Sequence, residues 1–227
     1  MLIIGSYHKT GSVLFSKIWK DYLNENKKLI KDFNHFDEVN DTVIKNTKCV
    51  VLIRCPMEII ISGVRYHQIT NENWCVNIKK YNNVSYQQHL KSLNDDDKII
   101  FEMENCAFQT INAIYNDMKN RNFNNNVLFI KLEDLYDQKN ISFICDQIKN
   151  HCGPSFKIKS KKLCQSFIKC LKTSYHRTND NNNYTYNEHF TEQHINHFNN
   201  LFPKDLLDVM GYTYHTFEDL KLSKNEK

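Results

Sequence analysis

The chain has 227 residues, of which 41% are hydrophobic and 25% charged, an ordinary globular mixture that excludes a fibrous, collagen-like or wholly disordered protein. That length suits one domain that buries roughly 70% of its unfolded surface. The formal net charge of +4 fits an anionic small ligand or plain solubility and does not by itself require nucleic acid.

Leu2 to Gly5 is a short apolar run read as a strand. Gly5 to Gly11 is a loop, and after it Leu14, Phe15, Ile18, Trp19, Tyr22 and Leu23 recur at helical spacing. Residues 24–48 are polar and irregular, with a helix expected around 37–45. Cys49-Val-Val-Leu-Ile53 is the best strand in the chain: continuous, β-branched and apolar, as a strand covered on both faces should be. It ends at Arg54, and Pro56 is placed to open a helix that runs to about His67. Residues 71–97 show no period and read as a loop-rich insertion. A helix is expected from Phe101 to Arg121, a third strand at Val127–Ile130, a turn or short helix starting at Leu132–Leu135, and helices at 141–148 and 161–171. An Asn-rich loop follows from Thr178 to Asn187, then a helix from Thr191 and another from Phe202 to Met210, closed by Gly211.

Strands alternating with helices predict an α/β fold in one domain, with a central parallel sheet flanked by helices and ligands at the carboxyl ends of the strands. The domain is expected over residues 1–222, with a charged tail at 223–227. No apolar run reaches bilayer length, and the opening MLIIGSYHK lacks a basic n-region, so neither a membrane span nor a signal peptide is expected. The eight Cys contain no CxxC pair, which speaks against a zinc site and for free thiols in a reducing, cytoplasmic compartment. The sequence holds 30 Asn against 5 Gly and 3 Pro. Asn shares the turn-forming role of Gly and Pro, and the bias is that of an A/T-rich coding genome.

A strand, a loop bracketed by Gly5 and Gly11, and a helix opened by Ser12 form the layout of an anion site. The loop amides converge there, and the helix dipole adds partial positive charge. Lys9 stands two residues before the second Gly, so this is not a Walker A loop, which places its Lys after that Gly. Arg54 follows the second strand directly, and Ser62 lies eight residues on. An Arg can fork onto a phosphate bidentately while a Ser donates its hydroxyl.

These residues carry a resemblance. Ser6-Tyr-His-Lys-Thr-Gly-Ser-Val-Leu14 resembles the 5′-phosphosulfate loop (SYPKSGTTWL) of sulfotransferases that use 3′-phosphoadenosine 5′-phosphosulfate (PAPS). Arg54-Cys-Pro-Met-Glu-Ile-Ile-Ile-Ser62 resembles their 3′-phosphate motif, RxPxxxxxS. Val127 to Leu135 is similar to their third strand and its "YEDL"; His176-Arg177 with Asn187 to Thr191 is similar to "RKG…GDWKNHFT", and Leu207 to Tyr212 to "LGY". The resemblance covers nearly the whole chain and implies a P-loop-like sulfotransferase architecture. It implies a donor site of Lys9, Thr10, Gly11, Ser12, Val13, Arg54, Ser62 and Arg177, with PAPS as donor, PAP as product and no metal.

The chain departs from the pattern at His8 for Pro, Val13 for Thr, Leu14 for Trp and Leu132 for Tyr, and lacks Lys-Gly after Arg177. Those changes imply either a nucleotide affinity below the family norm or an adenine held by other residues. Lys9 is the electrostatic partner expected for the leaving oxygen. In cytosolic-type sulfotransferases the general base is a His about twenty residues before the 3′-phosphate Arg, while some carbohydrate sulfotransferases use a Glu. His35 lies 19 before Arg54 and is the catalytic base expected, with His67 and then Glu38 as rivals. The acceptor is a small molecule or a sugar, and Phe33, Phe36, Tyr66, Trp74 and Tyr81 are candidates to line its pocket, with 71–97 as an acceptor-side lid. A homodimer is open to such a chain. The alternatives are a P-loop kinase or NTPase with a degenerate loop, and a non-catalytic nucleotide-binding relative.

Overall fold

A computed structural model describes residues 1–23, 30–33, 35–119, 121, 123, 125–173 and 189–213, with 30–33 described by backbone alone. In chain order the elements are β1 (Leu2–Ser6), α1 (Ser12–Leu23), β2 (Ile30–Phe33), α2 (Asp41–Lys45), β3 (Lys48–Ile53), α3 (Pro56–His67), α4 (Asn73–Val76), β4 (Lys79–Tyr81), β5 (Val84–Ser85), α5 (Tyr86–Ser92), α6 (Asp95–Glu104), α7 (Cys106–Lys119), β6 (Val127–Lys131), α8 (Gln138–Cys152), α9 (Ser160–Thr173), α10 (Glu192–Leu201) and α11 (Leu206–Val209). The protein is mixed α/β. By Cα packing it divides into two compact units, the described residues of Met1–Cys55 with Asn120–Tyr175, and those of Pro56–Lys119 with His176–Lys227.

The first unit holds a parallel sheet of order β2-β1-β3-β6. Alternation along the strands sends Leu2, Ile4, Val50, Leu52 and Ile130 into one core with Leu14, Phe15, Ile18 and Trp19 of α1, and with apolar residues of α8 and α9. β3 is buried along Cys49–Ile53, with apolar side chains on both faces, as expected of an inner parallel strand. β2 escapes the sequence reading. Ile30-Lys-Asp-Phe33 has two apolar residues and neither strict alternation nor a continuous run, because an edge strand needs neither. Around 37–45 the expected helix is broken into a 3₁₀ turn at Phe36–Glu38 and the short α2. Asn40 caps α2 by accepting the Thr42 amide at 2.8 Å.

His151, at the end of α8, ties the strand starts together. Its Nε2 donates to Cys49 O at 3.0 Å and to Asn126 O at 3.1 Å. Burial holds its pKa below the ordinary 6.5, and the nearby Lys48 charge adds to that. A base whose folded pKa is depressed binds its proton more readily unfolded, so its contribution is present above pH 6.5 and is lost as pH falls from there through the lower folded pKa. Urea unfolding between pH 8 and 5 should show that loss, and His151→Gln, which keeps an amide donor, should flatten the part of the profile below 6.5.

In the second unit α3 packs on α5, α6 and α7. Residues 71–97, expected as an irregular loop, carry α4, the β4–β5 hairpin, α5 and the start of α6. The hairpin turns on Asn82 and Asn83, with φ of 48° and 66°, so Asn takes the left-handed positions that Gly would otherwise hold. Ser85 and Gln88 form a capping box that opens α5. Asn94 caps α6, and Asp95, Asp96 and Asp97 fill its first turn, where the helix dipole favours negative charge.

The single helix expected over 101–121 is two helices, broken at Asn105. Asn105 leaves the helical region (φ −116°, ψ −100°), and its Nδ2 bonds back to Phe101 O at 2.8 Å while its Oδ1 accepts the Tyr81 hydroxyl at 3.1 Å. The last helix, expected from Phe202 to Met210, spans only Leu206–Val209. No helix among the described residues is long and apolar enough to cross a membrane. All eight cysteines carry free thiols.

Candidate functional site

β1 runs into a loop, and the loop into α1, at the carboxyl edge of the sheet. Thr10 closes the loop on itself. Its hydroxyl accepts the Tyr7 amide at 2.9 Å and donates to Tyr7 O at 2.9 Å, and its own amide reaches Tyr7 O at 3.2 Å. Thr10 is fully buried, so its side chain shapes the loop. That closure forces Lys9 to φ 61°, a left-handed conformation costing an L-residue on the order of 1 kcal/mol or more. Gly11 sits at φ +92°, and a Cβ there would come 3.2 Å from both Leu132 Cδ atoms. Helix α1 then starts at Ser12, where the first amides have no carbonyl four residues back.

The first half of the loop is held from the other face of the sheet. A Cβ at Gly5 would lie 2.6 Å from Phe36 Cδ2, so only glycine lets that ring lie against the strand. Phe36 also meets Tyr7 edge-on, ring centres 6.0 Å apart. One residue before Phe36, His35 is exposed and stacks on His8 with centres 6.3 Å apart and planes 10° from parallel. His35 is therefore brought beside the loop residue that precedes Lys9.

Arg54 stands at the end of β3, the neighbour of β1. Its Nη1 donates to Lys9 O at 3.2 Å. The next amide, Cys55 N–H, donates to Glu133 Oε1 at 2.9 Å, and Leu132 N–H to Ile53 O at 2.8 Å, so the turn after β6 fixes the strand end carrying Arg54. Two cations thus sit at neighbouring strand ends next to a helix N-terminus, a setting that suits a bound anion.

Sequence reasoning found Lys9, Thr10, Gly11, Ser12, Arg54 and His35, and the structure gathers them in the first unit. Val13 is there too, 77% exposed on the first turn of α1. Leu14 and Leu132 are buried in the core, so at these two departures from the family pattern the chain has packing residues. The Phe36 clamp, the His8–His35 stack and the Glu133 brace have no local sequence signal, because their partners lie 31, 27 and 78 residues apart. Ser62 is half-buried on α3 of the second unit. His67, on the same helix, is fully buried with its Nδ1 against Glu102. Arg177 lies outside the described residues. Comparison with protein-family models, curated proteins and solved structures gives no match.

Proposed function

We propose that this chain is a sulfotransferase that moves the sulfuryl group of PAPS to a hydroxyl or amine of a small-molecule or carbohydrate acceptor. The observation that carries the reading is the bond from the Arg54 guanidinium to the carbonyl of Lys9. It joins the two most specific motifs of the sequence at adjacent strand ends, where a doubly phosphorylated nucleotide would meet both cations. In the transfer, the acceptor oxygen or nitrogen attacks sulfur and the bond from sulfur to the phosphate oxygen breaks. PAP leaves with the electron pair. Lys9 opposes the charge that grows on that oxygen, and the amides of Gly11 to Val13 hold the phosphate at the start of α1. His35, beside His8, takes the proton of the attacking group.

A kinase or NTPase would bind ATP with Mg²⁺ instead, so ligand-induced stabilisation separates the readings. PAP at a hundred times its dissociation constant should raise the melting temperature by roughly 5–10 °C, with no such shift from ATP–Mg²⁺. Arg54→Ala should weaken PAP roughly 10- to 100-fold through lost charge-assisted bonds. A shift from ATP–Mg²⁺ alone would overturn the proposal.

A further inference from the structure

The second unit holds a group of side chains that the proposed transfer does not use. His67 ends α3 and is wholly buried. Its Nδ1 lies 2.8 Å from Glu102 Oε2, and the Tyr86 hydroxyl donates to the same oxygen at 2.8 Å. Glu102 is 1% exposed. A buried carboxylate oxygen that takes the Tyr86 O–H accepts its second hydrogen bond from a ring N–H, so Nδ1 of His67 carries a proton. In the neutral ring the lone pair is then on Nε2. Nε2 lies 3.9 Å from the Sγ of Cys106, the first residue of the fourteen-residue helix α7.

From this geometry we infer that Cys106 is a nucleophilic thiol, with His67 as its base and Glu102 as the positioning residue, open to oxidation by hydrogen peroxide. Two features favour a thiolate here. The Nε2 lone pair receives the S–H proton, with Glu102 holding the resulting imidazolium in place, and the start of α7 adds partial positive charge next to sulfur. Four of the buried thiols are disfavoured as thiolates, since burial pushes Cys49 and Cys152 up to about 12 and raises Cys145 and Cys170 as well. Cys106 is half-buried, on an aromatic cluster of Tyr81, Tyr86 and Phe101. A molecule the size of a peroxide suits that access better than a bulky substrate. In the step, Sγ gives its proton to His67 Nε2 and the thiolate attacks one peroxide oxygen. The O–O bond breaks, the departing hydroxide takes the proton back from Nε2 as water, and Cys106 is left as sulfenic acid. Sulfur is oxidised and the peroxide reduced, and no further reactant is needed.

The half-buried Cys164, whose Sγ bonds to Ile141 O, is an internal reference in the same chain. Proton transfer to Nε2 raises the thiolate fraction of Cys106 in weakly acidic solution, and lower intrinsic nucleophilicity returns part of that gain, leaving Cys106 about five- to tenfold faster than Cys164 at pH 6.5. The experiment follows iodoacetamide labelling of the intact protein by peptide mapping from pH 5 to 9, and traps sulfenic acid with dimedone after stoichiometric hydrogen peroxide. His67→Gln should slow Cys106 about five- to tenfold, to the rate of Cys164, and move its labelling midpoint to higher pH. Glu102→Gln and the milder Tyr86→Phe should raise that midpoint by smaller amounts while labelling of Cys164 stays unchanged. If either of the first two fails to fold, Tyr86→Phe still reports the pH profile. Equal rates at Cys106 and Cys164, or a midpoint indifferent to these substitutions, overturn the assignment of an activated thiol. Fast alkylation without a dimedone adduct at Cys106 overturns the peroxide as its electrophile.

Discussion

Lys9→Gly is expected to lower sulfuryl transfer from PAPS by about two to three orders of magnitude, the scale for losing one preorganised group that stabilises developing charge, while leaving the fold as stable as before. The stability half follows from the backbone. Lys9 holds φ 61° in a loop closed by Thr10. Glycine adopts that angle without strain, which returns about 1 kcal/mol, and the greater freedom of the unfolded glycine chain takes back about the same. The carbonyl that accepts from Arg54 Nη1 belongs to the backbone and survives the substitution. PAP binding should therefore weaken far less than turnover. Labelled-sulfate transfer, PAP titration and a melting curve on the same variant give the three readouts. Transfer at the parental rate would remove Lys9 from the chemistry. A fall in melting temperature of more than about 2 °C would show that the Lys9 side chain supports the loop itself.

What could be read from the sequence follows from where the physical signal is stored. The β3 strand announces itself because Cys49 to Ile53 is buried on every side, and such a strand can only be an apolar run. α3 begins where expected, at Pro56, because a residue without an amide is well placed in a first turn. The edge strand β2 and the break at Asn105 were not legible. In the first, two apolar residues suffice; in the second, the side chain of a residue with no fixed preference decides, by bonding to Phe101 O and Tyr81. The Asn-rich composition also has a reading that counting alone does not supply. Asn82, Asn83 and Asn125 occupy left-handed backbone, so in a chain with 5 Gly Asn makes part of the turns.

The same distinction holds for the sites. The phosphate-type loop is local: Gly5, Lys9, Gly11 and Ser12 fall within eight residues, and their spacing can be recognised. Cys106, His67 and Glu102 form a cluster only after α3, α6 and α7 have packed together. Between His67 and Cys106 stand 38 residues with no motif that marks either. His67 was legible only as a rival base for the transfer. In the structure its two nitrogens face Glu102 and Cys106 within its own unit.

Gly63→Ala tests how firmly that cluster is held, and its sign is the informative part. Gly63 lies inside α3, where helix propensity alone favours Ala over Gly by about 1 kcal/mol. A Cβ at this position would fall 2.2 Å from Glu102 Oε1, 2.6 Å from its Cδ and 3.0 Å from its Cγ. The carboxylate has no free swing away, because Tyr86 and His67 bind its other oxygen at 2.8 Å each. Either the helix α3 backs off α6, an overpacking cost of about 1–3 kcal/mol, or the carboxylate leaves and a buried partner goes unpaired at about 3–5 kcal/mol. The less costly route sets the outcome, so net of the propensity gain the variant should be destabilised by roughly 1–2 kcal/mol, read as a lower urea midpoint at unchanged slope. Gly153→Ala isolates the backbone contribution, since its Cβ would meet nothing within 4 Å and only its backbone, φ +75° with ψ 177°, opposes it, at a cost of about 1–3 kcal/mol. The outcome also bears on Cys106. If Gly63→Ala were as stable as the parent or more so, Glu102 would be free to turn, and His67 would lose the constraint that aims Nε2 at sulfur. A destabilised Gly63→Ala with a raised labelling midpoint at Cys106 would tie the packing of α3 on α6 to the reactivity of the thiol at the start of α7.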